Sequence, residues 1–172
     1  MGRVAGLVIM VAVAVLVFAL DQATKAWVTT NMLSDDVRPL VEGVVRLRYT
    51  ENTGAAFGLF QGGTLALSVA AAAIIGGIVL SATRMGAGSP ALMLALALVL
   101  GGAIGNLSDR LRLGYVVDFI EVYALRADFR GTVYTFPVFN VADSAITVGV
   151  LLIMAALLFA KQPTQPETSA EC

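Results

Sequence analysis

The sequence contains no histidine, and its one cysteine, Cys172, is the last of 172 residues. The first absence removes the usual neutral-pH base and the commonest zinc ligand. The second excludes an intrachain disulfide or a thiolate cluster, and a thiol nucleophile is not expected on a polar tail. Charge is scarce as well: 13% of residues are charged and 58% hydrophobic, against about 25% and about 45–50% in an ordinary soluble domain. With a mean hydropathy of +0.86, this is the composition of a membrane protein. A net charge of −1 leaves no basic surface for a nucleic acid partner. Any chemistry has to come from Asp, Glu, Asn, Ser, Lys, Arg or the backbone.

Four stretches approach the length of about 17–25 apolar residues that crosses hydrocarbon: 4–20, 59–82, 90–106 and 144–160. The predicted fold class is an all-α membrane protein with four transmembrane helices, a small β element and a lid-like loop. One integral membrane domain covers 1–162, and 163–172 reads as a disordered polar tail. The first stretch has Arg3 ahead of an apolar core, as a secretory signal does, but the core is long and no small-x-small cleavage site precedes Asp21. In "VVRLRYT", Val45, Leu47 and Tyr49 alternate with Arg46 and Arg48, the period of a strand with one wet face. Four spans put both termini on one side and two long loops on the other. Of 11 basic residues, Arg3, Arg84 and Lys161 fall on the terminal side and the other eight on the loop side. Taken alone, that count places the loops in the cytoplasm, although most of the eight have acidic neighbours in folded segments.

Polar residues collect at the long-loop ends of the spans. Asp21 and Lys25 follow span one, Asn52 precedes span two, Asn106, Asp109 and Arg110 end span three, and Asn140 with Asp143 opens span four. Each has a structural explanation. Asp21 and Lys25 have the spacing of a helix ion pair, Asn140 and Asp143 suit a helix N-terminus, and Gly101 with Gly105 forms a small-xxx-small packing face. Asp118 is harder to explain this way, because it is a lone carboxylate in the apolar run "VVDFI" outside the spans. A strand there would orient it with Val116 and Ile120. A second carboxylate in reach would give two acids that cannot both ionise, so that one proton is shared. Such a pair is acid and base at once and suits water attack on a peptide carbonyl.

The motifs "DQATK", "ENTGAAFG", "GNLSDR", "VVDFI" and "FNVADSAI" occur in this order over Asp21–Ile146. Together they resemble bacterial lipoprotein signal peptidase, also called signal peptidase II, over nearly the whole chain except the tail. The resemblance implies that Asp118 and Asp143 are catalytic, and that Asp21, Lys25, Asn52, Gly54, Asn106, Arg110, Asn140 and Ala142 support the site or bind substrate. It implies an aspartic endopeptidase that needs no metal and no cofactor. It acts as a monomer among membrane lipid, and cuts a diacylglyceryl-modified prolipoprotein just before the modified cysteine. It also implies residence in the bacterial inner membrane with both termini cytoplasmic and the β element and active site near the outer face, against the raw charge count. One departure is "ALRADFRGTVYT", 124–135, which is long and polar for the family and bears on the lid.

Three other functions fit parts of the pattern. Membrane carboxylates are natural in an ion-coupled transporter, but those sit near the midplane in broken helices, often with repeats, and no repeat is visible. The polar face could equally be the docking surface of a noncatalytic adaptor. A Ser–Lys hydrolase would use Ser144, for which Lys25 is the only base within reach, since Lys161 lies about a membrane thickness away.

Overall fold

Apolar runs without internal proline fold as helices α1 (Arg3–Asn31), α2 (Thr64–Arg84), α3 (Pro90–Leu113) and α4 (Val141–Leu158), each long and apolar enough to cross a membrane. The strands are β1 (Val37–Val41), β2 (Val45–Asn52), β3 (Val116–Ala127) and β4 (Val133–Thr135). The computed structural model describes residues 2–33, 36–54, 63–84, 89–127 and 133–159, with backbone alone at 124–127 and 133–135. The expected tail at 163–172 and the first residues of span two, 59–62, lie outside the described residues. So does the tip, 128–132, of the expected lid-like loop, whose two ends are strand.

Protein covers 56% of the apolar window of α3 but only 11% of that of α2 and 17% of that of α4. Helix α3 is therefore the central post, in contact with α1, α2 and α4, and the uncovered apolar faces of the others are left to lipid. Its glycines let the neighbouring backbones close in. A Cβ on Gly101 would lie 2.6 Å from the Ala14 carbonyl oxygen of α1, and one on Gly102 would lie 2.5 Å from that of Ala142 in α4. The stripe thus serves two interfaces instead of one. Helix α3 ends at Gly114, whose φ of 83° is in the left-handed region and whose N–H bonds the Arg110 carbonyl at 3.1 Å.

All four helices extend beyond the spans read from hydropathy at one end, α2 by only two residues to Arg84. Helix α1 does not stop at Asp21. Opposite charges one turn apart let Asp21 and Lys25 pair and bury against α3, and the hydroxyls of Thr24, Thr29 and Thr30 return to carbonyls of the preceding turn. Helix α3 likewise runs past Asn106, and α4 starts at Val141 because Asn140 caps it.

The sheet is antiparallel in the order β1-β2-β3-β4. Tyr49 of β2 and Val117 and Phe119 of β3 pack on Val28 and Met32, so the extension of α1 beyond the apolar run carries the sheet. The other face of β2 is less open than the alternation implied. Glu121 of β3, 2% exposed, pairs with both Arg46 and Arg48, and the Arg46 guanidinium lies 4.5 Å above the Tyr123 ring. Between Leu47 and Thr50 the β2–β3 register slips, which brings Thr50 opposite Asp118. The peptide of Phe139 then joins β3: the Phe119 and Ile120 amides donate to its carbonyl at 3.1 and 2.8 Å, and its amide donates to the Ile120 carbonyl at 3.0 Å. That junction brings the start of α4 beside Asp118.

The glycine contacts give a paired test. Gly102→Val forces α3 and α4 apart and should cost about 1–3 kcal/mol or more by overpacking. Gly76→Val on α2, where an added Cβ meets nothing within 4 Å, should cost nothing by overpacking and gain slightly from the better helix propensity of valine. Thermal unfolding of the two variants in detergent checks the contrast.

Candidate active site

Asp118 projects from β3 with 2% of its surface exposed, flanked by the buried Val117 and Phe119. Its two oxygens have different partners. Asn140 Nδ2 donates to Oδ1 at 2.7 Å and Asn52 Nδ2 donates to Oδ2 at 2.8 Å. Burial, reinforced by the negative charge of Asp143, pushes the Asp118 carboxyl up to about 7, and the two amides and the Lys25 charge oppose the rise.

Asp143 lies in the first turn of α4. Its Oδ1 accepts from Asn106 Nδ2 at 2.7 Å, and its Oδ2 from the Asn140 amide at 3.3 Å. The Asp143 amide donates in return to Asn140 Oδ1 at 2.8 Å, which completes a capping box. The helix-cap reading of Asn140 and Asp143 is therefore right, and it does not exclude a second role, because Asn140 also reaches Asp118.

Each of the three asparagines is oriented by a group that can only donate. Asn52 Oδ1 accepts the Gly54 amide at 2.9 Å, Asn140 Oδ1 accepts the Asp143 amide, and Asn106 Oδ1 accepts Lys25 Nζ at 2.9 Å. Their oxygens being so engaged, all three turn an NH2 group toward the carboxylates. Lys25 has three hydrogens and uses them all: besides Asn106, it lies 2.8 Å from Asp21 Oδ2 and 2.8 Å from Asp109 Oδ2. The Asp21–Lys25 helix pair anticipated from spacing is thus one edge of a buried triad. Asp21 Oδ1 receives the Ala142 amide at 3.0 Å, which explains the place of Ala142 in its motif.

Asp109 was not among the residues carried over from the motifs, yet it is 1% exposed and holds Lys25, Gln22 Nε2 at 3.0 Å and the Val117 amide at 3.3 Å. The available signal was its spacing: three residues after Asn106, it lies on the same face of α3. Arg110 donates to the Gly54 carbonyl at 3.3 Å and lies close enough to Asp143 and Asp118 for their charges to act on it.

Asp118 and Asp143 line a cavity of about 460 Å³, together with Asn52, Asn106 and Arg110 on one side and an apolar wall that includes Phe136, Phe139 and Ile146. It offers two carboxylates fed by N–H donors, a guanidinium and room for an extended chain. The Ser–Lys arrangement does not form. Ser144 Oγ donates to the Asn140 carbonyl at 3.0 Å, and the hydrogens of Lys25 are fully committed to other acceptors.

The comparisons with known proteins agree with the motif pattern. A family model described as signal peptidase (SPase) II matches residues 13–159. The lipoprotein signal peptidase of Shouchella clausii (strain KSM-K16) is 42% identical over 146 residues, covering 85% of this chain and 90% of that protein. That of Moorella thermoacetica (strain ATCC 39073 / JCM 9320) is 41% identical over 146 residues, covering 84% and 89%. Among solved structures, a bacterial membrane enzyme determined by the in meso method at 2.3 Å resolution superposes with a TM-score of 0.76 at 31% identity, covering 91% of this chain and 93% of that one. Agreement over most of the length, in sequence and in fold, places the chain in the signal peptidase II family of aspartic-type peptidases.

Proposed function

We propose that this chain removes signal peptides from prolipoproteins already diacylglyceryl-modified on cysteine, cutting just before that cysteine, and that Asp118 and Asp143 activate the attacking water. The observation that carries the reading is that the buried Asp118 and the half-buried Asp143 line one half-apolar cavity in a member of this family. The apolar wall suits a substrate with acyl chains, and the lipid-facing helices bring the site within reach of a membrane-anchored one.

Just below neutral pH the pair holds one proton, and it belongs to the pair, not to either residue. The ionised member takes a proton from water as the water oxygen attacks the scissile carbonyl carbon, and the protonated member gives its proton to the carbonyl oxygen. The resulting tetrahedral diol collapses with cleavage of the C–N bond. The proton taken from water passes to the leaving nitrogen and a diol proton returns to the pair, which is left as it began. No metal or cofactor enters this cycle. The chain works as a monomer within membrane lipid, both termini cytoplasmic and the sheet at the outer face.

Asp118→Asn and Asp143→Asn should each lower cleavage of a lipid-modified prolipoprotein by about 10²-fold to 10⁴-fold or more while leaving the protein folded. The double variant should be scarcely worse, because the two groups act as a unit. An Asn at 143 can still accept the Asn140 amide through its side-chain oxygen and keep the capping box, so near-normal cleavage by Asp143→Asn would reduce Asp143 to its capping role and remove the mechanism.

The raised Asp118 pKa fixes the direction of the pH dependence. The pair keeps its proton below about 7 and loses it above, so kcat/KM should fall on the alkaline side, roughly tenfold per pH unit beyond the limb. A rate flat from about pH 6 to about pH 9 would contradict a shared proton.

Orientation has its own test. A reporter fused after Lys161 should be cytoplasmic, and one inserted within "RADFRG" (126–131) extracytoplasmic. Reverse labelling would put the site on the wrong face for this substrate.

A further inference from the structure

The backbone amide just before each dyad aspartate ends on a different buried carboxylate, and one lysine joins those two carboxylates. The Ala142 amide, preceding Asp143, donates to Asp21 Oδ1 at 3.0 Å; the Val117 amide, preceding Asp118, donates to Asp109 Oδ2 at 3.3 Å. Lys25 Nζ lies 2.8 Å from the other oxygen of Asp21 and 2.8 Å from Asp109 Oδ2. The path from α4 through α1 and α3 to β3 is therefore continuous, and each link is a charge-assisted hydrogen bond or ion pair. Gln22 of α1 closes it a second time, donating to Asp21 Oδ2 at 3.2 Å and to Asp109 Oδ1 at 3.0 Å.

We infer that this path is a clamp setting the spacing of the dyad, and that Asp109 is a positioning residue for the cleavage reaction. The inference rests on the dyad reading above. Besides the Asn140 side chain, which bonds both aspartates, and the packing of α4 on α3, two backbone attachments bear on where Asp143 stands relative to Asp118. The Phe139 junction ties the chain ahead of α4 to β3 just beyond Asp118. It acts through the backbone at one point on each element. The clamp makes the second backbone attachment, at the residue preceding each aspartate. Packing alone does not account for it, because three buried charges are less stabilising than apolar side chains of the same volume. The third hydrogen of Lys25 goes to Asn106 Oδ1, so the clamp also fixes which end of the Asn106 amide meets Asp143.

The test compares Asp109→Asn with Glu121→Gln. Both remove a buried charge from an ion pair, but Glu121 lies on the back of the sheet with Arg46 and Arg48 and has no bond to the dyad. Per folded molecule, Asp109→Asn should lower kcat by about 10-fold to 100-fold with KM within about twofold, the size expected from a misplacement of about 1 Å. Glu121→Gln should keep kcat and lose only stability. The alkaline limb is a second readout. The charged groups near Asp118 are Asp143 from α4, Lys25 from α1 and Arg110 from α3. Without the Asp109 charge, Lys25 is less compensated and favours the ionised form of Asp118, so the limb should move to lower pH. If Asp109→Asn does not fold, the triple variant Asp21→Asn/Lys25→Met/Asp109→Asn, which removes all three buried charges together, replaces it and should be folded but slow. Wild-type kcat per folded molecule in either Asp109 variant, with KM unchanged, would overturn the clamp. Because Asp118→Asn and Asp143→Asn test the dyad separately, a clamp that fails while those variants stay inactive leaves the dyad standing.

Discussion

A buried ammonium has three hydrogens, no lone pair and no water to fall back on, so it must find three acceptors within the protein. Lys25 finds Asp21, Asp109 and Asn106, and much of the site follows from that requirement. Because Asn106 has to present its oxygen to Lys25, its NH2 group faces Asp143. Asp21 and Asp109 pair with Lys25, and their remaining lone pairs take the amides of Ala142 and Val117. Elements distant in sequence are thereby joined around one cation.

The membrane explains why such a site can exist in so small a chain. The apolar faces of α1, α2 and α4 are left to lipid, so little of the chain is spent on a water-facing surface. The central helix α3 carries glycines where α1 and α4 touch it and polar residues where it emerges toward the sheet. The same helix thus supplies tight packing in its middle and Asn106, Asp109 and Arg110 at its end. Poor hydration at that level pushes the Asp118 carboxyl up, and the Asn52 and Asn140 amides oppose the rise.

Much of this was legible in the residues. Hydropathy located the four spans, alternation located β2, and the lone carboxylate in "VVDFI" stood out against its apolar neighbours. What could not be read depended on tertiary contact. Helix α1 outruns its apolar stretch because Lys25 finds partners on α3, and the register slip opposite Asp118 leaves no local signature. Arg46 and Arg48 looked like a wet face because Glu121 meets them from another strand. Asp109 was passed over because, beside Arg110 in "GNLSDR", it resembles an ordinary charged residue at a helix end. Its importance lies in the Val117 amide, which sequence spacing does not pair with it.

The central claim is that the carboxyls of Asp118 and Asp143 share one proton just below neutral pH. Infrared difference spectra of the wild type minus Asp118→Asn and minus Asp143→Asn test it without substrate, because a protonated carboxyl has a C=O stretch that a carboxylate lacks. One such band, altered or lost in each variant, present at about pH 6 and gone by about pH 8.5, is the expected result. Two ionised carboxylates at about pH 6, with no carboxyl band assignable to either residue, would contradict it.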